Sequence, residues 1–411
     1  MEIEGGEGSR TEAAVYPARA GSCGGVLGAF AGCDPVPPFR RGGMIIAIDA
    51  RPLSYTLTGI GVYLSHAVEA LQRLDEVNSY CLMSNAAIPV TLCNHRWRKV
   101  EGRAGGKLMS TAWLQAAAPL IARRCRADIF WGPRHHLPLG LPRGIKCVLT
   151  VHDVVHRVLP STLAWPNLLM ERLFMRWSLL RADRILADSD STARDLVRFY
   201  GTSRSKIRRV YPGVPGLPEA VPRSEGEGPD AEAPFFLFVG TLDPRKNFVR
   251  LFNAFERLAV EDPQVRLVLA GDAGWKNEDF LRMLRRHPLR GRVDVLGYVS
   301  GGQLASLYTR AVALVLPSLY EGFGFPIVEA MAVGTPVITS RTGSMPEAAG
   351  DGALLVDPLD VGALAEAMRR VLGDVDLRRI LLEKGRAQAS RFSWTRCAAE
   401  ILAVFEEVCE A

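Results

Sequence analysis

Two glutamates, Glu321 and Glu329, stand eight residues apart across the run Gly322-Phe323-Gly324-Phe325. Pro326 suits the first position of a helix, and Gly334 suits the left-handed residue after its end. The spacing predicts a strand ending near Leu316, a loop that presents Glu321, and a short helix with Glu329 in its first turn. Free loop amides and a helix N-terminus form an anion site. A carboxylate beside such a site would repel a phosphate, so its natural task is to grip hydroxyls, as on a ribose or a hexose. On spacing alone, Glu329 also reads as a helix-dipole residue and Glu321 as a solvated loop acid.

The words around these glutamates, PSLYEGFGFPIVEAMAVGTPVI and then GSMPE at 343–347, resemble the E-x7-E motif of retaining GT-B glycosyltransferases of the family-4 type. Those enzymes move a sugar from a nucleotide donor. The resemblance implies that Glu321 contacts hydroxyls of the donor sugar and that Glu329 holds the nucleotide ribose. The amides of Gly322, Phe323, Gly324 and Phe325 then meet the donor phosphate or sugar. Residues 239–247, VGTLDPRKN, resemble the family's phosphate-gripping loop. Lys246 is thereby expected to neutralise the diphosphate leaving group, with Arg245 beside it, because fixed positive charge aimed at a departing anion stabilises the transition state. Many relatives carry a basic residue right after the first glycine of this loop. This chain departs from that pattern with Thr241 there, and Arg245 is the candidate to substitute for the second cationic contact. Without the resemblance, the stretch also reads as a solvated basic turn.

In the N-terminal half, Gly59 and Gly61 follow the first apolar run and resemble the family's glycine loop, which faces donor and acceptor. A lone G-x-G also marks many ordinary turns. His152 and Asp153 end the strand expected over 145–151 and match a His-Asp pair of the family, with the histidine near the reacting sugar and Asp153 on the acceptor side. The implied catalytic set is His152, Glu321 and Lys246. His135, His136 and His156 read equally as structural neighbours. Backbone groups at Gly297, Tyr298 and Val299 are expected to meet the base, and Gly271 to line the same cleft. The family needs no bound metal and no cofactor beyond the nucleotide-sugar co-substrate. Asp188-Ser189-Asp190, which spells the D-x-D metal signature of the unrelated GT-A architecture, is therefore expected to cap a helix at 191–200.

The elements that must position these residues alternate. Strands are expected at 44–49, 145–151, 184–187, 235–239, 265–270, 293–296, 313–316 and 336–339. Helices are expected at 60–74, 108–126, 167–181 and 191–200. Alternation of this kind implies parallel α/β sheets. A Pro-, Gly- and acid-rich interval separates two such series. The expected organisation is a disordered leader over 1–43, a Rossmann-like acceptor-side domain over 44–215, a linker over 216–233, a nucleotide-sugar-binding Rossmann-like domain over 234–392, and a helix over 393–411 that returns to the first domain. The expected fold class is α/β with two Rossmann-like domains facing a central cleft, which the resemblance implies is GT-B. Met44 also reads as a possible true start.

Composition excludes a disordered, collagen-like or small disulfide-rich chain: 411 residues are 48% hydrophobic and 23% charged. The net charge of +6 is uneven. Residues 44–215 hold 24 basic and 12 acidic side chains, while residues 216–411 hold 22 and 27. A basic half favours an anionic partner. Arg96, Trp97, Arg98, Lys99, Arg103 and Lys107 precede the apolar segment 108–121, which suits either an anionic membrane surface or a core helix with solvated ends. No stacking-aromatic or recognition-helix pattern supports nucleic acid. Eight cysteines form no C-x-x-C pair, which fits a reducing, cytoplasmic compartment. The expected activity is transfer of a hexose, with mannose favoured, to a glycan or lipid-linked acceptor of cell-surface polysaccharide. A sugar phosphorylase would need a pyridoxal phosphate lysine, for which there is no motif. A non-catalytic binding protein on the same fold stays open.

Overall fold

A computed structural model of the chain describes residues 42–55, 59–103, 107–218, 233–274 and 276–410. All but the last two positions of the expected leader, and linker positions 219–232, lie outside the described residues.

Among the described residues, thirteen strands form two all-parallel sheets. The first comprises β1 (Ile45–Asp49), β2 (Ser79–Ser84), β3 (Trp97–Glu101), β4 (Ile129–Gly132), β5 (Lys146–Val151), β6 (Arg184–Ala187) and β7 (Ile207–Arg209), in the order β3-β2-β1-β4-β5-β6-β7. The second comprises β8 (Phe235–Val239), β9 (Arg266–Ala270), β10 (Val293–Gly297), β11 (Ala313–Leu316), β12 (Val337–Ser340) and β13 (Ala353–Val356), in the order β10-β9-β8-β11-β12-β13. The central runs are apolar at nearly every position, as in FFLFV of β8, because helices cover both faces of a parallel sheet. Strand order reverses between β1 and β4 and again between β8 and β11. In open α/β sheets the crevice for a ligand lies beyond the carboxyl ends of the strands at that reversal. The glycines of 59–61 follow β1, the loop of Lys246 follows β8, and the loop of Glu321 follows β11, so the topology alone delivers all three to switch points.

The last helix, Trp394–Glu410, returns to the first sheet. Cys397, Ile401 and Phe405 are buried in one cluster with Tyr63, Leu64 and Trp131, and Glu407 pairs with Arg184 at 2.9 Å and Arg208 at 2.5 Å.

Of the two readings of the basic cluster and the helix after it, the structure shows the core helix and not the membrane patch. Residues 97–101 are edge strand β3, and Trp97 is 2% exposed, stacked on Tyr80 at 4.0 Å. Charged outward positions are the usual protection of a sheet edge, and Lys99 donates to the Ile88 carbonyl at 2.8 Å. The helix Lys107–Arg124 buries Trp113, Leu114, Ala118 and Ile121 in the core. Exposed apolar side chains lie instead on the helix Trp165–Arg181, where Trp165 is 73% and Leu180 71% exposed, with Leu169 and Leu173 between them. Among the described residues, no helix is long and apolar enough to cross a membrane.

Candidate active site

After β8 the chain makes a tight turn. Asp243 accepts the amide N–H groups of Arg245 at 3.0 Å and Lys246 at 3.3 Å, which directs both cations into the crevice. Gly240 leaves room for the lysine stem, since a Cβ there would sit 3.1 Å from Lys246 Cε. Gly271, at the end of β9, is packed beneath this loop. Its Cβ would fall 2.2 Å from the Gly240 carbonyl oxygen. That close backbone approach dictates its identity.

After β11 the chain presents Glu321, which is 7% exposed. Its Oε2 accepts from Arg245 Nη1 at 2.6 Å, and its Oε1 meets Lys246 Nζ at 2.8 Å. Burial works to raise its pKa, but the Arg245 and Lys246 charges overcome burial and hold it down at about 2. The two cations expected to face a diphosphate are thus seated on the carboxylate expected to face the sugar. Ser344 shapes the loop by donating to the carbonyls of Glu321 at 2.8 Å and Phe323 at 3.1 Å. Gly324, at φ 98°, precedes the helix Phe325–Val333, and Gly334, at φ 89°, ends it. Pro326 occupies the second helical position. Phe323 packs on Phe392, and Phe325 packs near Trp394. Half-buried Glu329 accepts from Tyr308 Oη at 2.8 Å. Burial raises its pKa, with Tyr308 and Lys246 pulling against that rise.

From the first sheet, His152 follows β5, but its ring is not free to face a sugar. Nδ1 bonds Asp188 Oδ2 at 2.6 Å and Nε2 bonds the Pro133 carbonyl at 2.8 Å. The parallel register Val151↔Ala187 brings Asp188 beside it. What reaches the Glu321 loop is the His152 backbone. A Cβ on Gly322 would fall 2.0 Å from the His152 carbonyl oxygen, and Thr192 Oγ1 donates to that oxygen at 3.1 Å. Asp153 accepts the Val155 amide at 2.9 Å, and its charge acts on both Arg245 and Tyr320. Ser189 caps the helix Asp190–Tyr200 by accepting from Thr192, so the D-x-D run is engaged with His152 and a helix end. Gly59 and Gly61 open the helix Gly59–Leu74, Gly59 exposed and Gly61 buried. Val299 is half-buried against the second core, two residues past β10 and away from the Glu321 cluster in sequence and sheet order.

Several residues that join the halves were not singled out by sequence reasoning. Glu347 lies in the GSMPE run. Its carboxylate accepts from the Asp190 amide at 2.7 Å, the Ser191 amide at 3.3 Å and Tyr211 Oη at 2.6 Å, and so caps a helix of the first sheet from the second. Tyr320 Oη donates to Asp195 at 2.8 Å and accepts from the Val154 amide at 3.4 Å. The only sequence signal was that both lie in or beside the motif words.

Known proteins share this arrangement of sheets. Residues 57–215 match the family described as Glycosyltransferase Family 4, and residues 223–388 match that described as Glycosyl transferases group 1. The chain is 30% identical to the O-antigen chain mannosyltransferase B of Escherichia coli over 385 residues, 88% of this chain and 100% of that protein. It is 32% identical to the MMP alpha-(1->4)-mannosyltransferase of Mycolicibacterium hassiacum over 316 residues, 72% of this chain and 74% of that protein. Among solved structures, the sucrose-phosphate synthase of Thermosynechococcus elongatus shares the fold at a TM-score of 0.69 and 22% identity, over 89% of this chain and 99% of that one. WaaG, a glycosyltransferase involved in lipopolysaccharide biosynthesis, does so at 0.66 and 16%, over 88% and 99%. With both halves matched in order and one relative covered end to end, the chain belongs to the family-4 type of GT-B glycosyltransferases.

Proposed function

We propose that this glycosyltransferase moves mannose from GDP-mannose to a glycan or lipid-linked acceptor in cell-surface polysaccharide synthesis, with retention of configuration and without a bound metal. The observation that carries the reading is the Glu321 carboxylate held between Arg245 and Lys246 at a switch point, with the adjoining Gly322 against the His152 carbonyl. In the proposed step, the bond from the anomeric carbon to the diphosphate oxygen breaks. The acceptor oxygen bonds the same face of that carbon, and its proton passes to the departing diphosphate. Lys246, Arg245 and the amides of Gly322, Phe323, Gly324 and Phe325 balance the leaving charge. The His152 carbonyl dipole favours the positive charge that develops on the sugar. Glu321 grips sugar hydroxyls, Glu329 the ribose, and Gly61, Gly271 and Val299 shape the donor cleft, with Gly59 and Asp153 on the acceptor side. Both Glu321 oxygens are engaged by cations, which argues for a positioning carboxylate over a nucleophile.

The test is a thermal-shift screen of GDP, UDP and ADP with their sugar conjugates. GDP and GDP-mannose raise the melting temperature by mass action, and the product of turnover carries an α-linked mannose by NMR. If no nucleotide shifts melting, the transferase reading is lost. The unequal carboxylates predict a pH dependence. As pH falls, Glu329 protonates first, above the ordinary carboxylate range, while Glu321 stays ionised down to about 2. Donor KM should therefore rise on the acid side. In Glu329→Gln it is already raised and stays flat with pH.

A lipid-linked acceptor would be met at the inner face of the plasma membrane. The surface suited to it is the helix Trp165–Arg181, with Trp165, Leu169, Leu173 and Leu180 exposed beside exposed Arg172 and Arg176. Vesicle flotation should show binding that needs acidic lipid and is lost in a Trp165→Ala, Leu173→Ser double variant. Equal binding to neutral vesicles would sink the idea.

A further inference from the structure

Beside the site lies a buried cluster that the proposed chemistry does not use. His135, in the loop between β4 and β5, is a non-glycine residue in the left-handed region at φ 51° and is 7% exposed. Such a conformation is strained and persists only where its surroundings fix it. Here the His135 amide donates to the Thr150 carbonyl at 3.1 Å. Its ring Nε2 accepts the backbone N–H of His152 at 3.1 Å. Its Nδ1 lies 3.6 Å from Glu171 Oε2, which His136 Nε2 also approaches at 3.2 Å.

An imidazole nitrogen accepts only when it carries no proton, so the proton of neutral His135 must sit on Nδ1, the nitrogen facing Glu171. We infer that His135 is a positioning residue: Glu171 fixes its tautomer, its Nε2 holds the His152 amide, and the His152 carbonyl is thereby set against Gly322 of the donor loop. Thr192 holds the next peptide group, donating to the His152 carbonyl oxygen. His135 thus acts on the site through the His152 backbone and touches no reacting atom.

The arrangement carries its own pH sensitivity. The groups facing His135 are Glu171 from the helix Trp165–Arg181, His152 and Asp153 from the end of β5, His156 from the helix Val155–Val158, and Arg134 and His136 from its own loop. Burial lowers the His135 pKa and Arg134 adds to that, but Glu171 and Asp153 outweigh both and leave it raised. Glu171 is held well below the usual carboxylate range. As pH falls through the raised value, Nε2 gains a proton and the His152 amide loses its acceptor.

The kinetic arm of the test rests on the GDP-mannose reading, and the exchange arm does not. GDP release from GDP-mannose and hydrogen-exchange protection of the His152 amide are followed with pH in wild type, His135→Gln, His135→Ala and Glu171→Gln. Wild-type kcat should fall on the acid side above the ordinary histidine pKa, in step with His152 protection. His135→Gln offers a non-titrating amide oxygen, so it keeps activity and protection and loses that limb. His135→Ala loses protection at every pH and about ten- to a hundredfold in kcat, with donor KM little changed. Glu171→Gln moves the limb to lower pH. A fold-stabilising residue would lower melting without moving the limb. Unchanged His152 protection in His135→Ala, or an unchanged acid limb in His135→Gln, overturns the proposal. If GDP-mannose is not turned over, the donor reading fails and the exchange arm alone decides.

Discussion

Lys246→Ala should lower kcat by about two to three orders of magnitude, the usual cost of removing one preorganised electrostatic partner from a transition state, with donor KM within a few-fold of wild type. Charge on the departing diphosphate is larger in the transition state than in the bound donor, so a cation aimed at it contributes mainly to kcat. The lysine is not replaceable by rearrangement. Its stem runs through the space that Gly240 leaves open, and its ammonium lies 2.8 Å from Glu321. Removing it also leaves a buried carboxylate on Arg245 alone. Glu329→Ala should do the reverse, raising donor KM more than it lowers kcat, because a ribose contact far from the broken bond is equally strong in both states. A Lys246→Ala enzyme with normal kcat and high KM would show that these roles are exchanged. The variant should also unfold at a higher pH in an acid titration. The depressed Glu321 pKa stabilises the fold above the unfolded glutamate value of about 4.3, and that contribution is lost as pH falls through about 2. Without Lys246 the depression is smaller and less acid is needed.

The geometry of the candidate site was legible where its residues are local in sequence. Glu321, the glycine turn and Glu329 come from one loop and the helix it opens, so spacing sufficed, and Gly334 sits at a left-handed cap as its position demanded. Lys246 was equally local, one turn after a strand. The strands β2, β3, β4, β7 and β13 were missed. SYCLMS carries no alternation, because both its faces are buried. WRKVE has the composition of a basic patch, because an edge strand shows its charges to solvent. What failed at His152 was register. Its partner Asp188 is remote in sequence and becomes a neighbour only through the pairing of β5 with β6. Glu347 stood in a quoted motif without a role, since its partners belong to the opposite sheet. The helix Trp165–Arg181 spreads its apolar residues round the axis with charged residues among them, so no periodicity distinguishes its exposed leucines from its buried ones.

Gly322→Ala should abolish turnover while leaving each half folded. The reason is space, not conformational freedom. An added methyl would lie 2.0 Å from the His152 carbonyl oxygen, 2.8 Å from its carbon and 2.9 Å from Asp153 Cβ. Two of these neighbours are backbone atoms, so no rotamer change relieves the overlap, and the halves must separate here or the loop must shift. Either way the closing contacts are disturbed together: Thr192 to the Gly322 carbonyl, Tyr320 to Asp195, and Glu347 to the helix end at Asp190. A displacement of about 1 Å at a reacting centre costs on the order of a hundredfold in rate, so kcat should fall by at least that much. Gly322 belongs to none of the three hydrophobic clusters, so melting temperature should change little. Gly144→Ala, at a position with open space about the glycine, controls for glycine replacement itself. Small-angle scattering should report a larger radius of gyration for Gly322→Ala than for wild type or that control. A Gly322→Ala enzyme with full kcat and an unchanged radius would mean that the Glu321 loop and the His152 carbonyl need not touch during turnover. Reaction chemistry would then have to be sought in a more open arrangement of the same two switch points.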